Sequence, residues 1–316
     1  MPFGREGLLP SLGVSVLLLA GVASAQDMTT PAAPVAEVPA MASPPTEDTA
    51  TQLPDLTLLN FFSQGWGEKW VHRHHFSPDM SLLRVTTNFL EREFRVDYVF
   101  TAVNNNAKVE DTQMLQGLIA YGLDRRIMLE VITQYQWNVS PTGAPPVNGP
   151  GGAALVRFQL VDTETASYAF QYRIAGPNRS IGQTTTDMQY ALAGWQDIGA
   201  LVHALGRFGL YYSFLYENQL GAHKATATLN SFTYVISIAE TWTPASMVLL
   251  GDFTTFVEFA GVTALDGSAA GTTISITPGI RFWFLPKNSL TFGIDFPVTN
   301  NPAYSIVYRL NYILNF

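Results

Sequence analysis

The chain has 316 residues, of which 47% are hydrophobic and only 13% are charged. Its formal net charge of −8 disfavours binding to nucleic acid, because such proteins neutralise phosphates with clustered Lys and Arg. The sequence has no Cys, which excludes disulfides, thiol catalysis and Cys-ligated metal sites. Beyond the N-terminus there is no uninterrupted run of about 20 apolar residues, so helical membrane spans are not expected.

Residues 1–25 have the pattern of a secretory signal peptide. Arg5 is basic, residues 8–22 are apolar, and Ala23-Ser-Ala25 is a small-residue cleavage site, so cleavage is predicted after Ala25. An uncleaved anchor helix is the alternative, which the short apolar run disfavours. Residues 26–55 are rich in Pro, Ala and Thr and have no aromatic side chain, which predicts a disordered linker that serves as a periplasmic tether.

Residues 56–81 form an apolar segment that precedes the strand-like part of the chain. Trp66 and Trp70 suit a membrane interface, because an indole ring has one apolar and one polar edge. The segment is expected to be an interfacial amphipathic helix or a plug inside a barrel; an additional strand is the third possibility. The histidines at 72, 74 and 75 have few acidic neighbours, so no metal site is predicted there.

From Leu82 onward, apolar residues alternate with polar or small ones between turn signals, which predicts β-strands. Long connections alternate with short ones, as in transmembrane barrels. We therefore predict an all-β fold: an antiparallel up-and-down transmembrane β-barrel over residues 82–316, with about twelve strands counted from Phe94. Leu82–Leu90 is either a first strand or an extension of the next one. A count of fourteen would also need a strand near 56–66.

Alternate positions along each strand are mostly polar, and they supply the candidate lumen residues. These residues carry both signs of charge, and no row of them has charges of one sign only. Opposite charges would either bridge and fill a narrow barrel or line a water path in a wider one. The candidates are Arg95, Asp97, Glu130, Gln134, Arg157, Gln159, Gln171, Arg173, Glu217, Asp252, Glu258, Arg281, Asp295, Arg309 and Asn311. Trp137, Trp195, Trp242 and Tyr312 fall near strand ends and are expected in the aromatic girdles.

The last strand ends with Tyr312, Leu314 and Phe316 on one apolar face. This pattern resembles the C-terminal signature of bacterial outer-membrane β-barrels. The resemblance implies an outer-membrane location, a periplasmic C-terminal end and recognition of this strand by the barrel assembly machinery. Outer-membrane lipids are then the expected surroundings.

The C-terminal third is also similar to the family named for the MetA pathway of phenol degradation. The similar stretches are Thr277–Phe282, Ser289–Val298 and the final strand. The resemblance implies movement of small organic molecules across the outer membrane.

These features together predict a passive outer-membrane channel or transporter for small solutes, including small organic or aromatic compounds. The alternative is a structural or adhesive barrel with a blocked lumen. We expect no enzyme and no cofactor, because no Ser/His pair shares a lumen face; a rim hydrolase using His203 or His223 is the disfavoured third hypothesis.

Overall fold

The computed structural model describes residues 54–70, 82–102, 111–139, 149–176, 186–202, 208–220, 230–244, 246–247, 249–266, 271–285, 287–299 and 304–316. The predicted signal peptide, nearly all of the predicted tether and all five histidines lie outside these ranges.

Twelve strands form one closed antiparallel barrel, so the predicted fold class and strand number are confirmed. The strands are β1 (Arg92–Ala102), β2 (Asp111–Gly122), β3 (Ile127–Val139), β4 (Gly149–Asp162), β5 (Ala166–Ala175), β6 (Thr186–Asp197), β7 (Phe208–Leu220), β8 (Asn230–Thr241), β9 (Gly251–Ala264), β10 (Gly271–Leu285), β11 (Asn288–Pro297) and β12 (Ile306–Asn315). The short helix α1 (Ile198–Leu201) lies between β6 and β7. Within the described ranges, no helix is long and apolar enough to cross a membrane.

Each strand pairs with its neighbours in sequence, and β1 pairs with β12 to close the ring. At this seam Val96 lies opposite Tyr312, and the amide of Phe316 donates to the carbonyl of Arg92 at 3.0 Å. The ends of β1 and β12 that meet here lie beside the β2–β3 and β4–β5 turns, and we call this the short-turn end. Because β1 pairs with β12, the sheet has no exposed edge. A sheet surrounded by an apolar solvent must be closed in this way, since unpaired backbone groups would find no hydrogen-bond partner there.

The two faces of the barrel wall differ as the alternation predicts. In β2, Leu118 is 5% exposed whereas its neighbour Ile119 is 55% exposed; in β3, Ile132 is 7% exposed and Val131 is 64% exposed. The outward face carries large apolar side chains and rows of aromatic rings, such as the stacked pair Phe214 and Phe232. Such a belt suits hydrocarbon rather than water.

The ladder begins at Arg92 and not at Leu82, where the predicted barrel interval starts. Residues 82–91, which we call the lumen segment, are neither a strand nor an extension of β1. Leu82 is 1% exposed and Val85 is 6% exposed because the segment runs inside the barrel. Its buried residues are Leu82, Val85, Asn88, Phe89 and Glu91, which do not alternate along the chain, so the predicted strand pattern does not describe how the segment packs.

Residues 54–70, which we call the rim segment, consist of turns and two isolated bridges. Leu56 pairs with Asp162 at the end of β4, and Lys69 pairs with Asp124 in the β2–β3 turn. The rim segment therefore lies at the short-turn end. It adds no strand to the ring, which excludes the fourteen-strand alternative.

Candidate functional site

The lumen segment is bound at one end to the β9–β11 side of the inner wall. The carboxylate of Glu258 accepts hydrogen bonds from the amides of Arg84 and Val85, at 3.1 and 3.0 Å to Oε1. The Arg84 guanidinium lies 3.5 Å from Asp295 and also donates to the Ser275 hydroxyl. Glu258 is fully buried, so these amides supply the polar partners that a buried carboxylate requires.

The other end of the lumen segment contacts β3 to β5. The Asn88 amide group donates to the Ser167 carbonyl at 3.0 Å, and an Arg157 Nη donates to the Phe89 carbonyl at 2.8 Å. The Glu91 amide faces the Met128 sulfur at 3.3 Å. Ten residues thus cross from the β9–β11 wall to the short-turn end beside β3.

Apolar contacts on the lumen face complete this attachment. Leu82, Val85 and Phe89 pack in one buried cluster with side chains from β6, β7, β8 and β9, namely Trp195, Tyr211, Val235, Ala239, Phe256 and Ala260. The rings of Phe89 and Trp195 lie 6.3 Å apart. The predicted girdle position of Trp195 is therefore wrong: Trp195 is 2% exposed and points inward, on the same parity as Ala191 and Ala193.

A cavity of about 300 Å³ remains between the lumen segment and the inner wall. Residues 83–87 border it on one side, and strands β1 to β7 supply the rest. Five predicted lumen residues line it: Arg95, Glu130, Arg157, Gln171 and Arg173. The sequence reasoning missed Glu93, Gln116, Leu118, Ile132, Leu155, Gln189 and Leu215, which also line it. Their alternation with outward residues was the available signal, but four of them are apolar and a search for polar residues passes over them.

Two arginines of the cavity wall, Arg157 and Arg173, are paired or bonded across neighbouring strands. Arg157 lies 3.5 Å from Glu130 and donates to Gln171, whereas Arg173 donates to Gln189 at 2.9 Å. Gln189 in turn donates to Glu217, a further predicted lumen residue. The wall therefore presents fixed groups of both signs and several amides, an arrangement that suits passage of polar solutes without strong selection by charge.

Asp97 forms a second network at the β1–β12 seam. Its carboxylate accepts from Arg95 at 2.7 Å, from Gln116 at 3.1 Å and from Asn311 at 2.6 Å. The bond to Asn311 joins the first strand to the last. Three of the four residues were predicted, and Gln116 was not.

The remaining predicted residues do not line the cavity. Asp295 accepts from Arg309 at 2.9 Å and from Thr277 at 2.6 Å. Fully buried Arg281 donates to Thr254 at 3.3 Å. Gln159 donates to Ser167 at 2.8 Å, Gln134 lies opposite Gln116 in the ladder, and Asp252 accepts from Trp283 at 3.0 Å near the start of β9.

The residues that the structure describes contain no group of three His, Cys, Asp or Glu side chains placed to hold a metal ion. The histidine tract at 72–75, where a metal site was not predicted, lies outside those residues.

No known family profile matches the chain, and no curated protein matches it in sequence. The resemblance of the C-terminal third to the MetA-pathway family therefore stays a prediction. Among solved structures, the COG4313 outer membrane channel from Pseudomonas putida F1 superposes with a TM-score of 0.54 and 11% identity, over 73% of this chain and 97% of that one.

Two porins superpose less well. The KdgM porin has a TM-score of 0.46 and 10% identity, over 70% of this chain and 99% of that one. The NanC porin has a TM-score of 0.48 and 8% identity, over 70% and 98% of the two chains. Identities this low concern the fold and not the activity. The chain therefore shares the closed antiparallel β-barrel fold of the COG4313 channel, with twelve strands in its own ring.

Proposed function

We propose that the protein is a passive outer-membrane channel for small solutes, with the lumen segment as its narrowest part. The observation that carries this proposal is the cavity of about 300 Å³, bounded on one side by residues 83–87 and on the others by polar, charged and apolar wall residues. A partly polar space of this kind, inside a ring whose outer face is apolar, offers solutes a route that lipid does not. No catalytic step and no cofactor belong to the proposal.

The proposal includes the membrane setting. The chain is exported with cleavage after Ala25, residues 26–55 form a periplasmic tether, and the short-turn end faces the periplasm. The assembly machinery reads the strand ending in Tyr312, Leu314 and Phe316. The MetA-pathway resemblance makes small organic or aromatic compounds the candidate solutes, and the mixed charges of the wall favour no single ionic class.

Conductance in planar bilayers and solute-driven swelling of proteoliposomes test the proposal with a matched pair of variants. Leu118→Trp places an indole in the cavity, whereas Ile119→Trp places one on the outward face one residue along β2. We expect the first variant to lower conductance and swelling and the second to leave both unchanged. Equal behaviour of the two variants, with a conducting wild type, would refute passage through this cavity.

A structural barrel with a blocked lumen is the second candidate, and the dense attachment of the lumen segment favours it. It predicts that wild-type protein neither conducts nor admits solutes. It also predicts that deletion of residues 26–53 disrupts an interaction with another envelope component and leaves permeability unchanged.

A further inference from the structure

The rim segment exposes a group of large apolar side chains beside the barrel wall. Leu59 is 101% exposed, Phe62 is 92% exposed and Leu58 is 64% exposed. Trp66 is also exposed. An apolar group of this size within seventeen residues marks a surface that contacts something other than water.

The rim segment is held tightly, so this exposure is not that of a loose tail. The guanidinium of Arg126, which is fully buried, donates to the carbonyl of Gln64 and to the side-chain oxygen of Asn60, each at 2.9 Å. It also lies over the Phe61 ring at 5.0 Å. Leu56, fully buried, exchanges two backbone hydrogen bonds with Asp162 at 3.1 and 2.8 Å.

The contact of Trp66 with the wall places this apolar group beside the outside of the ring. Trp66 lies 6.4 Å from Phe158, and Phe158 pairs with Ile127 on the outward face of β3 and β4. Arg157, the residue before Phe158 in β4, points to the lumen. The apolar group of the rim segment therefore continues the outer apolar belt of the wall at the short-turn end, and Leu123 in the adjacent turn, 48% exposed, extends it.

Polar and cationic groups flank this surface at the level of the rim. Arg92 lies between two rings, 4.6 Å from that of Trp70 and 4.2 Å from that of Tyr121. Arg125 pairs with Glu68 at 2.9 Å, and Lys69 is exposed. Aromatic rings beside cations, next to an apolar patch, are the composition of a membrane interface.

We propose that the rim segment is an in-plane membrane anchor whose Leu58, Leu59, Phe62 and Trp66 side chains insert into the phospholipid leaflet at the short-turn end. The inference rests on the proposed placement of the barrel in the outer membrane. A leaflet is the occupant that the geometry favours, because the patch is continuous with a belt that already faces hydrocarbon. Segments of this kind bury their apolar face at the boundary between headgroups and acyl chains.

Single-cysteine labelling tests the anchor directly, because the natural sequence contains no Cys. Leu59→Cys and Phe62→Cys are each spin-labelled in proteoliposomes of phosphatidylethanolamine and phosphatidylglycerol. Collisions with molecular oxygen, which concentrates in hydrocarbon, are compared with collisions with a water-soluble nickel chelate. Val131→Cys on the outward wall is the lipid control, and exposed Glu164→Cys in the β4–β5 turn is the water control at the same rim.

The anchor predicts that labels at 59 and 62 resemble the label at 131, with an oxygen-to-nickel ratio severalfold above that at 164. Ratios at 59 and 62 equal to that at 164, with 131 in lipid, would overturn the anchor and leave the membrane barrel intact. A water-like ratio at 131 would overturn the membrane placement and the anchor with it.

Discussion

Arg126 is the residue whose removal most directly tests how the rim segment is attached. Its bonds to Gln159 and Leu160 lie within the barrel, whereas those to Gln64 and Asn60 link the barrel to the rim segment. A hydrogen bond from a charged donor contributes about 1.5–3 kcal/mol. Arg126→Met removes two linking bonds of good geometry. We expect the free energy needed to open the rim segment to fall by about 3 kcal/mol, which is the low end of the summed contributions of these bonds, because the freed acceptors regain hydrogen bonds to water.

Hydrogen exchange measured by mass spectrometry reports this opening at particular amides. The amide of Leu56 donates to Asp162 and that of Gln64 donates to Asn60. A loss of about 3 kcal/mol corresponds to roughly a hundredfold faster exchange at these amides. Arg126→Lys keeps the charge with fewer donors and should fall between wild type and Arg126→Met.

Arg309→Met is the remote control, because Arg309 bonds to Asp295 on β11. It should leave exchange in residues 54–70 unchanged. Heat-modifiable gel mobility shows whether the barrel of Arg126→Met is still folded. If it is folded and hydrogen exchange at Leu56 and Gln64 is unaltered, the attachment described above is refuted.

Three further predictions concern other contacts. Glu258→Ala leaves the amides of Arg84 and Val85 without their acceptor, so their hydrogen exchange should accelerate and the single-channel current should become larger or noisier. The control is Glu217→Ala, because the Glu217 carboxylate bonds to Gln189 and not to the lumen segment; this variant should show neither change. Equal effects of the two variants would contradict the assigned role of Glu258. Hydrogen bonds from the Gly65 amide and then from the Arg125 guanidinium hold the pKa of Glu68 below its ordinary value of 4.5. These contacts therefore stabilise the rim segment above pH 4.5, and their contribution is lost as pH falls through the lowered pKa, where the protease sensitivity of residues 54–70 should rise in wild type. A rise of equal size in Glu68→Gln would show that another group causes the change in sensitivity. Phe316→Ala should lower the yield of inserted barrel in cells while changing the stability of purified protein by no more than about 1 kcal/mol, because the ring is half exposed; Leu285→Ala at another short turn is the control, and an unchanged yield would argue against an assembly signal.

The barrel wall could be predicted because its rule is local. Along each strand, alternate residues face outward, so the outward orientation of Phe316 assigns a face to each residue of β12 and, through the turns, to residues of the preceding strands. The same rule also contained the correct orientation of Trp195, since Ala191 and Ala193 share its parity and are buried. Its position near a strand end led to the wrong assignment, because a strand end alone does not determine the face.

The lumen segment could not be predicted because its partners are remote in sequence. Glu258 lies 174 residues from Arg84, and Asn88 bonds to Ser167 79 residues away. The apolar residues of 82–90 suggest a strand, whereas the segment packs irregularly against the inside of the wall, with Leu82, Val85 and Phe89 buried. The sequence therefore left two strand-like readings open, and neither describes a segment that crosses the lumen.

The attachment of the rim segment has a mechanical consequence. Residues before Pro54 connect along the chain to the lumen segment only by way of residues 54–81. A pull on the preceding chain acts first on the Leu56–Asp162 backbone pair and on the bonds of Arg126, which are anchored in the wall. The rim segment thus protects the lumen segment from force applied to the preceding chain. Tension from an envelope partner would be borne by the rim before it reached the amides held by Glu258.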